Sequence, residues 1–442
     1  MKIILFIINI IQFPFLKSYI TLPFKKKPKI LSNENIILSL YENSILTNIT
    51  LGTPKVTLEI NIKTYKTPFH ISCYYCKNLN ITFFDERNST SFNYYDPEDQ
   101  YFSNEDILNG GLSYDNFIIG EEKIKINNLD FYCASSINFI SSGVLGLGIK
   151  SNDENAYLSN FIKNIKTKNL IQKYDFFFEF NNSNEGNLII GELPHIYNSK
   201  KYNFERLKFF KVEISELKGQ YFDIGFENLT FGNNNIFDKF FIGKLKIENG
   251  LIKANKNFGI KITDFFFKKY LNNNICKYNN FTIGNINFSS FICDLNLDIK
   301  KFEDINFSIL NFENAFYLSY EDVFMEYNDK YYFLIYFNFD EDDKNNFWEL
   351  GEIFFRKFQF VFNQDSKTIG YYFKNKKKEN KTINFVFSLP WILVFFCFFI
   401  IIFMGYVIFY LIKKSKFRKR RANELNDEFD YINYQEEEII IN

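Results

Sequence analysis

From about Asn35 to Phe373, apolar positions recur in short runs broken by Asn, Gly and Asp. Thr57-Leu58-Glu59-Ile60-Asn61-Ile62 alternates with period two, as does Tyr221-Phe222-Asp223-Ile224-Gly225-Phe226. Successive strand side chains point to opposite faces, so such alternation predicts half-buried strands. Helical periodicity is confined mainly to Ala156–Ile171 and Asp264–Asn272. A parallel α/β sheet needs a helix after nearly every strand, and those helices are missing. The pattern predicts an all-β body.

Two longer apolar runs flank this body. Ile3–Leu16 follows Met1-Lys2 and has the charge and length of a secretory signal, predicted over residues 1–18 with cleavage near Ser18. Leu389–Ile412 carries no charge, with Trp391 and Tyr410 near its ends. Its length matches a bilayer core, so a transmembrane helix is predicted over 389–412. The cationic run Lys413–Arg421 follows directly, which places residues 413–442 in the cytosol as a tail that turns acidic after Glu424. A signal and a single span together predict a type I membrane protein of the secretory pathway or cell surface, with a lumenal or extracellular body.

The formal net charge of zero over 442 residues gives no reason to expect nucleic acid as a partner. Aromatics make up 20% of the chain, with 58 Phe and 29 Tyr, which reinforces the β prediction. The bias towards Asn, Lys, Ile, Phe and Tyr is that of an AT-rich coding sequence, so isolated Asn and Lys residues carry little weight. An oxidising compartment favours pairing of the five body cysteines. Cys276 and Cys293 flank a hairpin-like stretch and are expected to bridge. Cys133 is expected to bridge Cys73 or Cys76, leaving one thiol over. Zinc at Cys73-x-x-Cys76 would need a second pair or His nearby, and His70 and His195 are the only histidines. No metal or cofactor is expected. Nine Asn-x-Ser/Thr sequons, at Asn48, Asn80, Asn88, Asn181, Asn228, Asn280, Asn287, Asn306 and Asn380, allow for a glycoprotein.

Several Gly-containing segments fall in a recognisable order. Asn48-Ile49-Thr50-Leu51-Gly52-Thr53-Pro54 opens the series. Gly110-Gly111-Leu112-Ser113-Tyr114-Asp115 follows, with Gly120 after it, and then Ser142-Gly143-Val144-Leu145-Gly146-Leu147-Gly148. Asp175–Phe180 and Gly186–Gly191 come next. Trp348-Glu349-Leu350-Gly351-Glu352-Ile353-Phe354-Phe355-Arg356-Lys357-Phe358 closes the series, continued by Val361-Phe362-Asn363 and Ile369-Gly370. Any one alone reads as an ordinary turn. As an ordered set they resemble the pepsin-like aspartic peptidases. Cys73-x-x-Cys76 resembles the nepenthesin and plasmepsin V branch. The resemblance implies a bilobal fold, with an N-terminal lobe over 35–195 and a C-terminal lobe over 205–373. Each half has an apolar-Lys segment followed by a Leu-Gly pair, Leu145-Gly146 or Leu350-Gly351, as two copies of one plan would.

Such peptidases carry an Asp-Thr-Gly or Asp-Ser-Gly triplet in each lobe, and the two carboxylates share a proton to activate water. Counting from Gly52 puts Lys63 at the first Asp, with Thr64 retained and Tyr65 in place of Gly. In the second lobe the approach Leu251-Ile252 puts Lys253 at the second Asp. An ammonium group accepts no hydrogen bond and cannot activate water. The flap turn is expected at Ser103–Asp106, with Tyr101 just upstream. The cleft residues implied are Lys63, Tyr65, Lys66, Tyr101, Lys253 and Lys256, with the two facing lysines splayed towards solvent. The expected function is a membrane-anchored pseudoprotease that binds a peptide or protein segment, with an acidic peptide or C-terminal carboxylate as the favoured ligand. An active aspartic endopeptidase with unusual residues and a structural or adhesive surface protein are the alternatives.

Overall fold

The computed structural model describes residues 19–27, 36–41, 44–64, 69–74, 82–96, 100–102, 107–136, 142–149, 160–212, 222–309, 316–340 and 347–372. All lie within the first of two compact units, Met1–Lys374. The predicted signal, the Leu389–Ile412 span and the cytosolic tail fall outside the described residues. Among those described, no helix is long and apolar enough to cross a membrane.

Strands dominate, as the alternation predicts, and they form sheets of 14, nine and four strands among the described residues. Thr57–Ile62 lies inside strand Val56–Lys63, where Leu58, Ile60 and Ile62 turn inward. The second predicted strand forms as Asp223–Phe226. The helical expectations are met in part. Within Ala156–Ile171, helix Phe161–Thr167 forms, capped by the Asn160 side chain accepting from the Lys163 amide. Asp264–Asn272 belongs to a longer helical run. Helix Lys256–Ile262 leads through a π-turn at Thr263–Phe267 into helix Lys268–Asn272.

The two halves repeat one topology. In the first, Val56–Lys63 runs parallel to Gly143–Gly146, which pairs antiparallel with Phe69–Ser72. Phe69–Ser72 in turn runs parallel to Ile124–Ser136. In the second, Phe241–Leu245 runs parallel to Phe347–Leu350, which pairs antiparallel with Ile252–Ala254. Ile252–Ala254 runs parallel to Ile335–Phe337. Gly351 permits the tight crossing in the second half. A Cβ there would lie 2.0 Å from the Leu251 carbonyl oxygen and 2.3 Å from that of Asn249.

A shared set of strands joins the halves. The first half contributes Ile20–Lys27, Asp175–Phe180 and Glu185–Ile190, and the second contributes Leu207–Lys211, Gln359–Asn363 and Thr368–Tyr372. The seam lies where Asp175 pairs with Asn363 and Phe176 with Phe362. Their phenyl rings stack at 5.0 Å, and Asn363 donates to the Asp175 carboxylate at 2.8 Å. A second seam links Lys26 Nζ to Glu352 at 2.7 Å, and Arg356 holds the same carboxylate. The buried interior is continuous across the seam and rich in Phe, which suits edge-to-face packing.

Both expected bridges form: Cys276–Cys293 and Cys73–Cys133. Cys76 lies outside the described residues. The first bridge ties directly opposed residues of one hairpin, and the second ties two inner strands of the large sheet. Their sequence separations are 17 and 60 residues. Loop-closure entropy then predicts a loss of about 3 kcal/mol for the double variant Cys276→Ser/Cys293→Ser and about 4 kcal/mol for Cys73→Ser/Cys133→Ser. Denaturant midpoints of the two variants check both the size and the order of these losses.

Candidate functional site

The repeat fixes which positions face each other at the junction of the halves. Ile62 pairs with Leu145 and Leu245 pairs with Leu350, so the strands end on equivalent residues. The next residue is Lys63 in one half and Lys246 in the other. The following pair, Thr64 and Ile247, touch. Thr64 is fully buried, and its hydroxyl donates to the Leu245 carbonyl at 2.9 Å and accepts from the Ile247 amide at 3.4 Å. Lys63 and Lys246 therefore stand at twofold-equivalent points on either side of this hydrogen-bond pair.

This corrects the expected register. Lys253 is not the partner of Lys63. It lies one strand later, in Ile252–Ala254, at the position equivalent to His70. Two apolar-Lys segments, Leu245-Lys246 and Ile252-Lys253, lie seven residues apart. Spacing alone does not choose between them. The parallel pairing of Phe241–Leu245 with Phe347–Leu350 does.

Acidic groups accompany the lysines. Lys246 Nζ binds Glu349 Oε1 at 3.0 Å, with both side chains about four-fifths buried. Asn249 ties this pair to Tyr336 within the second lobe. Its Nδ2 donates to Glu349 Oε2 at 3.4 Å and to the Tyr336 hydroxyl at 3.2 Å, while its Oδ1 accepts from the Leu251 amide. Burial pushes Glu349 upward, but attraction and hydrogen bonding from Lys246, with further pull from Lys253 and Lys244, hold it below the usual carboxylate range. Lys246 thus pairs with an acid supplied by the chain itself.

Glu248, two residues on from Lys246, behaves in the opposite way. Burial raises its pKa, opposed by a backbone hydrogen bond of its own and by the charges of Lys63 and Lys246. Its Oε1 is sealed from solvent without a hydrogen-bond partner, while Oε2 lies 3.3 Å from the Thr64 hydroxyl. Thr64 has one hydroxyl proton, and the Leu245 carbonyl can only accept it. The Glu248 carboxylate is thus a second acceptor for that proton, at a longer distance than the Leu245 carbonyl. The floor holds a neutralised Lys246–Glu349 pair, the Lys63 ammonium and an acid biased towards its neutral form.

The remaining expected cleft residues are distributed unevenly. Lys253 stays close to the cluster, with its Nζ 5.6 Å from the centre of the Phe288 ring. Lys256 opens helix Lys256–Ile262 behind the N-cap Asn255, and it is not among the cations that act on Glu349. Tyr65, Lys66 and the Ser103–Asp106 turn lie outside the described residues. Tyr101 lies on strand Gln100–Phe102, opposite Leu108 of Ile107–Ile119, in the hairpin expected to carry the flap.

Sequence reasoning missed Lys246, Glu248, Glu349 and Asn249. It also missed helix Ile36–Tyr41, which packs Ile37 against Leu251, Phe281, Phe288 and Tyr336 of the second lobe. The Tyr41 ring meets Tyr336 edge-on at 5.7 Å. The signal available for the helix was the short run Ile36-Ile37-Leu38-Ser39-Leu40-Tyr41 ahead of the first strand of the repeat.

The two glutamates are expected to respond oppositely to pH. Glu349, with a lowered pKa, contributes stability above the ordinary value of 4.5, and this is lost as pH falls through its folded value. Glu248, with a raised pKa, opposes folding as pH rises from 4.5 through its folded value. At pH 7, Glu349→Gln should cost about 2 kcal/mol because it leaves Lys246 without its counter-charge, and the deficit should shrink towards pH 3. Glu248→Gln should raise the melting temperature at pH 7 and leave it near wild type at pH 4. Thermal unfolding of both variants across this range measures both trends.

A comparison with curated proteins finds no match. A family model described as eukaryotic aspartyl protease matches residues 44–372, from the first strand of the repeat to the last strand of the shared sheet. That span covers most of the chain and holds both copies of the repeat, and the chain belongs to the eukaryotic aspartyl protease family.

Proposed function

We propose that this protein is a membrane-anchored member of the family that binds an extended peptide or protein segment in its cleft without hydrolysing it. The observation that carries the proposal is the twofold-equivalent placement of Lys63 and Lys246 beside Thr64. Lys63 is where the family resemblance puts the first catalytic aspartate, and strand pairing makes Lys246, not the expected Lys253, its equivalent in the second half. A pair of carboxylates sharing a proton can activate water, and a pair of ammonium groups cannot. Of the nearby acids, Glu349 is committed to Lys246, and Glu248 is held towards its neutral form.

Binding needs less than catalysis does. An extended segment can pair with strand edges and place alternate side chains in pockets whether or not the floor is reactive. Lys63, Lys244, Lys246 and Lys253 outnumber Glu248 and Glu349 around the floor, which favours acidic ligands. The anchor is proposed from the uncharged Leu389–Ile412 run and the cationic residues after it.

Fluorescence-polarisation binding of acidic and neutral peptide libraries tests this function. Acidic peptides are expected to bind more tightly to the wild type, by about tenfold at low salt, and to lose that preference at high salt. The double variant Lys63→Ala/Lys253→Ala should lose most of the preference while keeping the Lys246–Glu349 pair. Equal affinity for both libraries in both proteins would remove the cationic cleft from the account. Absence of any peptide binding would favour a purely structural or adhesive role.

A further inference from the structure

The outer face of the shared sheet is unusual for this molecule. Most of its aromatic residues are buried, yet Phe204, Ile196 and Phe209 are 66%, 53% and 46% exposed within one short stretch. Phe204 opens a 3-10 turn, its ring 4.9 Å from that of His195, whose Nδ1 lies 2.6 Å from the Tyr372 hydroxyl. Phe209 lies opposite Gly370, and Leu207 opposite Tyr372, on the edge strand Leu207–Lys211. The apolar patch therefore borders Tyr372, the last residue of the last strand.

Sixteen residues, 373–388, separate Tyr372 from the apolar run that starts at Leu389. That segment carries Lys374, Lys376, Lys377 and Lys378. Lys200, Arg206, Lys208 and Lys211 are exposed around the patch, with Glu205 the acid among them. None of the nine sequons falls between residues 193 and 212 or between 359 and 372, although Asn181 follows strand Asp175–Phe180 and Asn380 lies within 373–388. Exposed aromatics ringed by lysine and arginine have the composition of an interfacial membrane contact. A face joined by a short linker to a membrane-spanning segment needs only weak intrinsic affinity to dock.

We propose that this face, centred on Phe204 and Phe209, docks on the headgroup region of the membrane that the 389–412 segment spans. The proposal rests on the anchored reading given above.

The test uses the full chain in phosphatidylcholine–phosphatidylserine vesicles. The photocrosslinker benzoylphenylalanine replaces Phe204, Phe209 or, as the control, Ile286, which is 51% exposed on the nine-stranded sheet. Retention on floated vesicles after alkaline carbonate reports on the anchor, and lipid adducts report on docking. The expected result is retention of all three proteins, with lipid labelling at 204 and 209 about tenfold above that at 286. Retention with equal labelling at the three positions would overturn docking and leave the anchor intact. Adducts at 204 and 209 to a second protein chain instead of lipid would also overturn it. Release by carbonate would overturn the anchor and docking together.

Discussion

The Thr64 hydroxyl ties the ends of two equivalent strands together. It gives its proton to Leu245 and receives one from Ile247, entirely out of water. An unpaired hydroxyl or amide there would cost on the order of 1–3 kcal/mol, so the halves close in this one register. Once they do, positions 63 and 246 share a floor whatever residues occupy them. The scaffold fixes the place of the chemistry, and the side chains at those two positions decide what chemistry is possible.

Two lysines on one floor would repel, and burial would add a desolvation cost. The chain meets this with its own acids. Glu349 arrives on the strand parallel to Phe241–Leu245 and neutralises Lys246. Glu248 feels both lysines and burial together, and burial prevails. Asn249 then ties the ion pair to Tyr336, whose other neighbours include Tyr41 from the helix ahead of the first lobe.

Much of the fold was legible in the sequence. Alternation set the Val56–Lys63 strand, and the ordered Gly segments gave the family and the repeat. Short spacing and compartment gave Cys276–Cys293. Lys63 was legible because Gly52 and a run without gaps lead straight to it. Its partner was not, because Lys246 and Lys253 each follow an apolar residue, and only parallel pairing across more than 100 residues separates them. Glu349 was hidden inside a motif that reads as a strand and turn. Its role arises from a neighbour distant in sequence, a relation that no local pattern encodes. The Ile36–Tyr41 helix was missed because six residues give less than two turns of periodicity.

The central claim is that the junction lacks the paired carboxylates needed to hydrolyse a peptide. The most direct measurement is cleavage of a diverse peptide library by the purified protein between pH 3 and pH 7, read by mass spectrometry, with Glu248→Gln measured alongside. The account predicts no cleavage above the buffer control at any pH in either protein. Cleavage by the wild type that disappears in Glu248→Gln would contradict it, because the buried carboxyl beside Thr64 would then be a working catalytic acid.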